Sequence, residues 1–508
     1  MRSRKFFGIA FLLSVVLLLA VVAVSVRDDD AASNAEATGE SGPAGLSSFY
    51  KQKLTWTDCG ASQCTWVKVP VDYEKPDGET LRLRVKVSPA DGETPRGRLF
   101  INPGGPGGSG VEFLSYFSGK TSQKMRSAYD IVGFDPRGVG DSTPLKCLSN
   151  KDLDRFANSD PDPDNDAEIK IFREWSVDLG DACRDNSGEL ASHVSTLEAA
   201  KDIDVLRAVL GEKKLDYYGA SYGTQLGATY AELFPKKVGR MVLDGAVDPT
   251  LDDEQQGLGQ AEGFQRALTS YIADCVESDA CPLGTDPDAA QKKLADFLQG
   301  LDQKPLKTSG ERVVTEAMGF YGIAITLYDR ANWPALTVEL EQAFKGDGTV
   351  MLNLADQYFG RQEDGSYKDN SSQAIYAVRC LDSTGSSTLE EVKASIPAYE
   401  KASPTFGRSM AWSAIGCTDW PLKTKNSQIK ISAADAPPIL VVGTTRDPAT
   451  PYEWALALAE QLKTGVLVTR EGDGHTGFHA GNSCIDSIID TFFLAGTVPK
   501  DGVECKAP

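Results

Sequence analysis

The chain has 508 residues, of which 41% are apolar, 24% charged and 8% aromatic, with a formal net charge of −20 and a pI near 4.7. This balance belongs to a folded globular protein and excludes a fibrous or wholly disordered one, while the acidic field repels nucleic acid and anionic lipid headgroups. The length exceeds what one compact core holds, so a domain with a large insertion, or two domains, is expected.

Arg2, Arg4 and Lys5 precede Phe6 to Val26, a run without a charge, and Arg27 and Asp28 follow it. A basic start and an apolar segment are the layout of an export signal, and the run is also long enough to serve as an uncleaved anchor. Both readings of residues 1–26 place the body outside the cell, secreted or at its surface, with membrane contact only through residues 6–26. The first cysteine is Cys59, so no lipid-modified cysteine is expected at the signal junction. Ala31 to Ser48 is rich in Ala, Gly, Ser and Glu, and residues 27–55 read as a flexible tether.

From Trp66 the pattern changes. Thr65 to Val71 and Leu81 to Val87 alternate apolar and polar residues, as half-buried antiparallel strands do. Short apolar strands follow at Arg98–Asn102, Tyr129–Phe134, Leu215–Tyr218 and Gly239–Asp244, with helical spacing over Thr196 to Leu210 and from the Gly223 turn to Phe234. Strands alternating with helices predict a mostly parallel sheet covered on both faces. The rhythm stops between about Thr250 and Ala434, where the pattern is largely helical, and resumes at Pro438–Gly443 and Gly465–Thr469. The last helix is expected over Ile485 to Leu494. The predicted architecture is therefore an α/β core, residues 56–249 and 435–508, interrupted by a helical cap over 250–434.

Ten cysteines in an exported chain read as disulfides. Along the sequence they fall as Cys59 and Cys64, Cys147 and Cys183, Cys275 and Cys281, Cys380 and Cys417, Cys484 and Cys505. Neighbour pairing is the simplest arrangement, though order alone leaves other pairings open. No cysteine or histidine spacing suits zinc, so neither a metal nor another cofactor is expected.

Gly219-Ala-Ser221-Tyr-Gly223 matches G-x-S-x-G, in which a serine sits on a sharp strand-to-helix turn that exposes its hydroxyl. A serine nucleophile needs a base, and the base an orienting acid. Three histidines are available. His193 precedes the serine, whereas this motif's fold runs Ser, Asp, His along the chain. His475, in a Gly-rich loop after a strand, is the expected base, with His479 as the fallback. Asp447, ending the preceding strand, is the expected acid, and Asp473 competes. The oxyanion donors are expected from the backbone N–H groups of Tyr222 and of Gly105 in the loop Pro103-Gly-Gly-Pro-Gly-Gly. The loop lacks the Gly-Lys-Ser/Thr ending of a phosphate cradle.

Together, Asn102-Pro-Gly-Gly-Pro-Gly-Gly-Ser, Phe134-Asp-Pro-Arg-Gly-Val-Gly-Asp-Ser, Gly219-Ala-Ser-Tyr-Gly, Asp447-Pro-Ala-Thr-Pro and Gly474-His-Thr resemble the actinobacterial secreted tripeptidyl aminopeptidases, relatives of prolyl aminopeptidases. The resemblance runs from about Trp56 to Cys505 and takes in Ala377-Val-Arg-Cys-Leu-Asp382. It implies the α/β-hydrolase fold, a C-terminal region completing the triad, and release of short peptides from free N-termini. Pro103 departs from the pattern, because prolyl aminopeptidases carry histidine there. An exopeptidase needs acids that hold the substrate ammonium, and Asp252, Asp253, Glu254 and Asp382 are the candidates, with Glu254 and Asp382 preferred. The expected function is an exported serine aminopeptidase, monomeric, acting on peptides with a free N-terminus. An esterase or lipase of the same fold, and an inactive surface binding protein, are the alternatives.

Overall fold

The computed structural model describes residues 37–383, 387–424 and 429–507, so the export segment over 1–26 lies outside the described residues. In chain order the strands are β1 (Thr57–Cys59), β2 (Ser62–Pro70), β3 (Thr80–Ser88), β4 (Gly97–Asn102), β5 (Tyr129–Phe134), β6 (Leu215–Ala220), β7 (Val238–Asp244), β8 (Leu306–Lys307), β9 (Val313–Val314), β10 (Ile439–Arg446), β11 (Gly465–Asp473) and β12 (Val503–Cys505). Ten of them form one sheet in the order β1-β2-β3-β5-β4-β6-β7-β10-β11-β12. Its first four strands meet antiparallel and everything from β5 onward is parallel.

The alternation in β2 and β3 does what period two requires. Val67 pairs with Leu83 and Val69 with Leu81, all buried, while Lys68 and Arg82 between them are exposed. The parallel strands are apolar throughout because both their faces are covered. Phe100, Tyr217, Leu243 and Val441 face one apolar cluster, and their neighbours Ile101, Tyr218, Val242 and Val442 face another.

The chain leaves the sheet after β7 and returns at β10. Between them lie helices from Asp253–Cys275 to Gly407–Trp412, packed round a core of their own that includes Leu268, Leu294, Ile323, Leu336, Leu340 and Phe406. The insertion carries one small addition to the expected helices, the antiparallel pair β8 and β9. A second excursion was not apparent from the sequence. Helices Asn150–Ala157 and Asp166–Ser187 rise beside the cap, where Phe156 meets Tyr376 edge-on and Phe172 meets Trp412.

The flexible tether expected over 27–55 is corrected for the part that is described. Leu46, Phe49 and Tyr50 are buried in the core, the Tyr50 hydroxyl donates to Asp204 at 2.7 Å, and Glu40 pairs with Arg207 and Lys237. Three large apolar groups within a few residues are enough to dock a segment that composition alone marks as loose.

All ten cysteines are paired as neighbours: 59–64, 147–183, 275–281, 380–417 and 484–505. The last link ties helix Ser483–Ala495 to the edge strand β12, which pairs with β11. Closing a loop of that length removes about 3 kcal/mol of unfolded-state entropy. Replacing Cys484 and Cys505 together by serine should lower the unfolding free energy by about that amount. Guanidinium melts followed by fluorescence check this, and an unchanged midpoint would mean that the edge is held by packing alone.

Candidate active site

Ser221 joins β6 to helix Tyr222–Leu233 with φ 57° and ψ −127°. A side chain held at positive φ costs roughly 1–3 kcal/mol and persists only where its surroundings over-determine it. They do so here. The Ser221 N–H donates to the Asp244 carbonyl at 2.9 Å, and the Ser221 carbonyl accepts from the Thr224 N–H and hydroxyl at 2.8 and 2.6 Å. The flanking glycines are required by contact. A Cβ on Gly219 would lie 2.3 Å from the Gly223 carbonyl oxygen, and one on Gly223 would lie 2.8 Å from that of Asn102.

Asp447 is fully buried just beyond β10, and both its oxygens reach His475 Nδ1, at 2.8 and 2.9 Å. Its remaining capacity is filled by the N–H groups of Ala449, Thr450 and Thr476, at 2.9, 2.9 and 3.1 Å. A carboxylate on Nδ1 fixes that nitrogen as the donor and leaves Nε2 free to accept a proton. Burial opposes the charged imidazolium, but the Asp447 carboxylate outweighs it, and the titration of His475 is raised above the usual imidazole value. The loop that carries His475 is held by the same residue that holds the serine. Asp244 accepts from Gly477 N–H at 2.7 Å and Phe478 N–H at 2.8 Å, and a Cβ on Gly245 would lie 3.2 Å from His475 Cε1.

The rivals are engaged elsewhere. His479 stacks on Phe478, and burial pushes its titration down to about 4. His193 binds Glu198 at 2.7 Å. Asp473 forms a two-point ion pair with Arg446 at 2.6 and 2.9 Å. Two partners escaped sequence reasoning: Asp244, and Tyr328 of the cap, whose carbonyl accepts from the His475 N–H at 2.7 Å and whose ring meets the imidazole edge-on.

The glycine loop lies against the serine turn. A Cβ on Gly104 would sit 2.9 Å from both Ser221 Cβ and the Tyr222 nitrogen, so only glycine allows that approach. Asp135 anchors the loop's far end by accepting from the Ser109 hydroxyl at 2.5 Å and the Val111 N–H at 3.2 Å. Gly105, Ser221 and Tyr222 all line a cavity of about 290 Å³ walled in part by the cap.

The cavity wall sorts the acids expected to hold an ammonium. Asp252, Asp253 and Asp382 line it, whereas Glu254 is exposed and does not. Glu254 is thus corrected as an anchor candidate. The capping box formed by Asp252 and Gln255 fixes the rotation of helix Asp253–Cys275, turning Asp253 inward and its neighbour out. Asp382 accepts from the Thr196 N–H and hydroxyl, at 2.9 and 2.5 Å, and Thr196 Oγ1 also meets the Tyr222 hydroxyl. Burial pushes the Asp382 carboxyl up to about 7. Arg379, one helical turn before it, lines the same cavity, with Phe264, Phe320, Tyr321 and Trp454.

A parallel sheet with a serine turn after β6, an aspartate after β10 and a histidine after β11 defines a serine hydrolase of the α/β-hydrolase fold. Residues 97–324 match the model of that fold, and residues 403–505 match the model described as TAP-like protein. The chain is 37% identical to serine protease Hip1 of Mycobacterium tuberculosis, over 89% of this chain and 91% of that one. It is 32% identical to the tripeptidyl aminopeptidase of Streptomyces lividans (89% and 86%) and 34% identical to carboxylesterase B of M. tuberculosis (87% and 86%). The chain belongs to the tripeptidyl aminopeptidase family of α/β hydrolases.

With three histidines, titration by NMR is readily resolved. One resonance should titrate near 4 (His479) and two above about 6.5, and Asp447→Asn should lower one of the two. Because folding favours charged His475, its contribution to stability is complete below about 6.5 and fades as pH rises through its raised value. If Asp447→Asn left every histidine titration in place, the pairing of His475 with Asp447 would be refuted.

Proposed function

We propose that the protein is an exported serine exopeptidase that releases short peptides, tripeptides foremost, from free N-termini through an acyl-enzyme on Ser221. The observation that carries this reading is a single cavity containing Ser221 together with three acids, Asp252, Asp253 and Asp382, supplied by the cap. Relatives named serine protease and tripeptidyl aminopeptidase support peptide substrates. Five disulfides suit an oxidising compartment, and among the described residues no helix is long and apolar enough to cross a membrane.

In the proposed reaction His475 Nε2 takes the proton from Ser221 Oγ as the oxygen attacks the scissile carbonyl. The oxyanion is met by the Tyr222 N–H at the start of its helix and by the Gly105 N–H. Collapse of the tetrahedral intermediate breaks the C–N bond, and the leaving amine takes the proton from His475. Water then attacks the acyl-enzyme, giving its proton to His475, and Ser221 recovers its hydroxyl proton as the short peptide leaves. The substrate ammonium pairs with Asp382, which titrates near neutrality and gives up its proton on meeting the cation. The distance from that acid to Ser221 then limits how many residues are released.

The carboxylesterase relative and the aromatic cavity wall favour a second reading, hydrolysis of small esters by the same three residues. Paired substrates separate the two. Acetylating the N-terminus of a tripeptidyl chromogenic amide should reduce kcat/KM roughly 30- to 1000-fold, equivalent to about 2–4 kcal/mol. Asp382→Asn should cost about 10- to 100-fold on the free peptide, spare a short-chain ester, and blunt the effect of acetylation, while Glu254→Ala changes little. Equal rates on free and acetylated peptides would defeat the exopeptidase reading.

A further inference from the structure

Outside the catalytic cavity a second group of acids converges. Asp160, Asp302 and Glu316 each present one carboxylate oxygen, and these oxygens lie within 4.8 Å of one another. They come from three separate segments: the loop between helices Asn150–Ala157 and Asp166–Ser187, the end of helix Pro287–Gln303, and the first residue of helix Glu316–Leu327. Asp162 stands beside them and leans on Arg408 at 3.1 Å.

The group lacks the counter-charge that such a cluster needs. Among the described residues no Lys or Arg nitrogen forms an ion pair with Asp160, Asp302 or Glu316. Glu316 is 6% exposed, and its Oε2 has no hydrogen-bond partner. A buried carboxylate oxygen without a donor or cation is costly and is seldom retained without a use. By contrast, the only other comparable group among the described residues, Asp72, His193 and Glu198, is answered by Lys75 at 3.2 Å and Arg137 at 3.8 Å.

We propose that Asp160, Asp302 and Glu316, with Asp162 beside them, form a calcium site that ties the excursion loop to the cap. The donors are hard oxygens with no nitrogen or sulfur among them, which selects an alkaline-earth ion over zinc. Carboxylates from distant segments, with water completing the shell, suit the flexible coordination of Ca²⁺ better than the strict octahedron of Mg²⁺. The location gives the ion a task. Pro161, between Asp160 and Asp162, and Ala317, next to Glu316, both line the cavity that holds Ser221. A bound ion therefore clamps two walls of that cavity together.

The test uses the full chain stripped with EDTA and titrated with CaCl₂ at constant ionic strength, by calorimetry and by thermal melting. Saturable binding to one class of site and a rise in Tm of several degrees are expected, with MgCl₂ binding at least about tenfold more weakly. Glu316→Gln should weaken Ca²⁺ binding by about tenfold or more. Asp302→Asn, at an exposed position and so little risk to folding, should weaken it in the same direction. Reaction of Ser221 with a fluorophosphonate reports that each variant is folded. Three outcomes overturn the proposal: no saturable binding to the wild type, binding unchanged in both variants, or a Glu316→Gln protein that melts above the stripped wild type and ignores calcium. The last would mean that the carboxyls share protons instead.

Discussion

The site depends on one buried residue that is none of the three expected catalytic residues. Asp244, fully buried at the end of β7, offers its carbonyl to the Ser221 N–H and its carboxylate to the Gly477 and Phe478 N–H groups and the Tyr218 hydroxyl. The first contact holds the serine at a positive φ that its side chain disfavours. The others fix the loop that brings His475 over the sheet edge. Burial pushes the carboxyl up, and the donors around it work in the opposite direction. One residue thus couples the positions of Ser221 and His475. Preorganisation of that kind lets a hydroxyl and an imidazole act as a unit.

The cap is part of this machinery and not only a cover. It gives the His475 N–H its acceptor through Tyr328, and it places Asp382 on Thr196, whose hydroxyl meets the Tyr222 side chain. Movement of the cap is therefore felt at both His475 and the turn that follows Ser221. The disulfide Cys380–Cys417 lies within the cap, and Cys147–Cys183 braces the excursion that packs against it. Both strap the elements that wall the cavity.

Much of this was legible because chemistry here sits at strand ends. Ser221, Asp447 and His475 each follow an apolar run and stand among Gly, Pro or Thr, so pattern and chain order single them out as candidates, and the Asp447–His475 contact joins two of them. Asp244 also ends a strand, but nothing local distinguishes a structural acid there from a solvated one. Tyr328 contributes a backbone carbonyl, which any residue type supplies, so sequence holds no sign of it. Glu254 and Asp253 are hard to tell apart in the sequence because inward and outward positions on a helix differ by a single residue, and the Asp252–Gln255 capping box sets the rotation. Composition misjudged residues 37–55 for a similar reason: Leu46, Phe49 and Tyr50 are few, yet each is buried. The acids near Glu316 meet only in three dimensions, and no spacing rule finds them.

The central claim is that Ser221 is the nucleophile and owes its reactivity to His475 held by Asp447. Peptide mapping of the intact protein after reaction with a fluorophosphonate tests it most directly. The account predicts one adduct, on Ser221, formed at least about a hundredfold more slowly in Asp447→Asn because the imidazole is then no longer held in the accepting tautomer. An adduct on any other serine, or equal labelling rates in the two proteins, would contradict it.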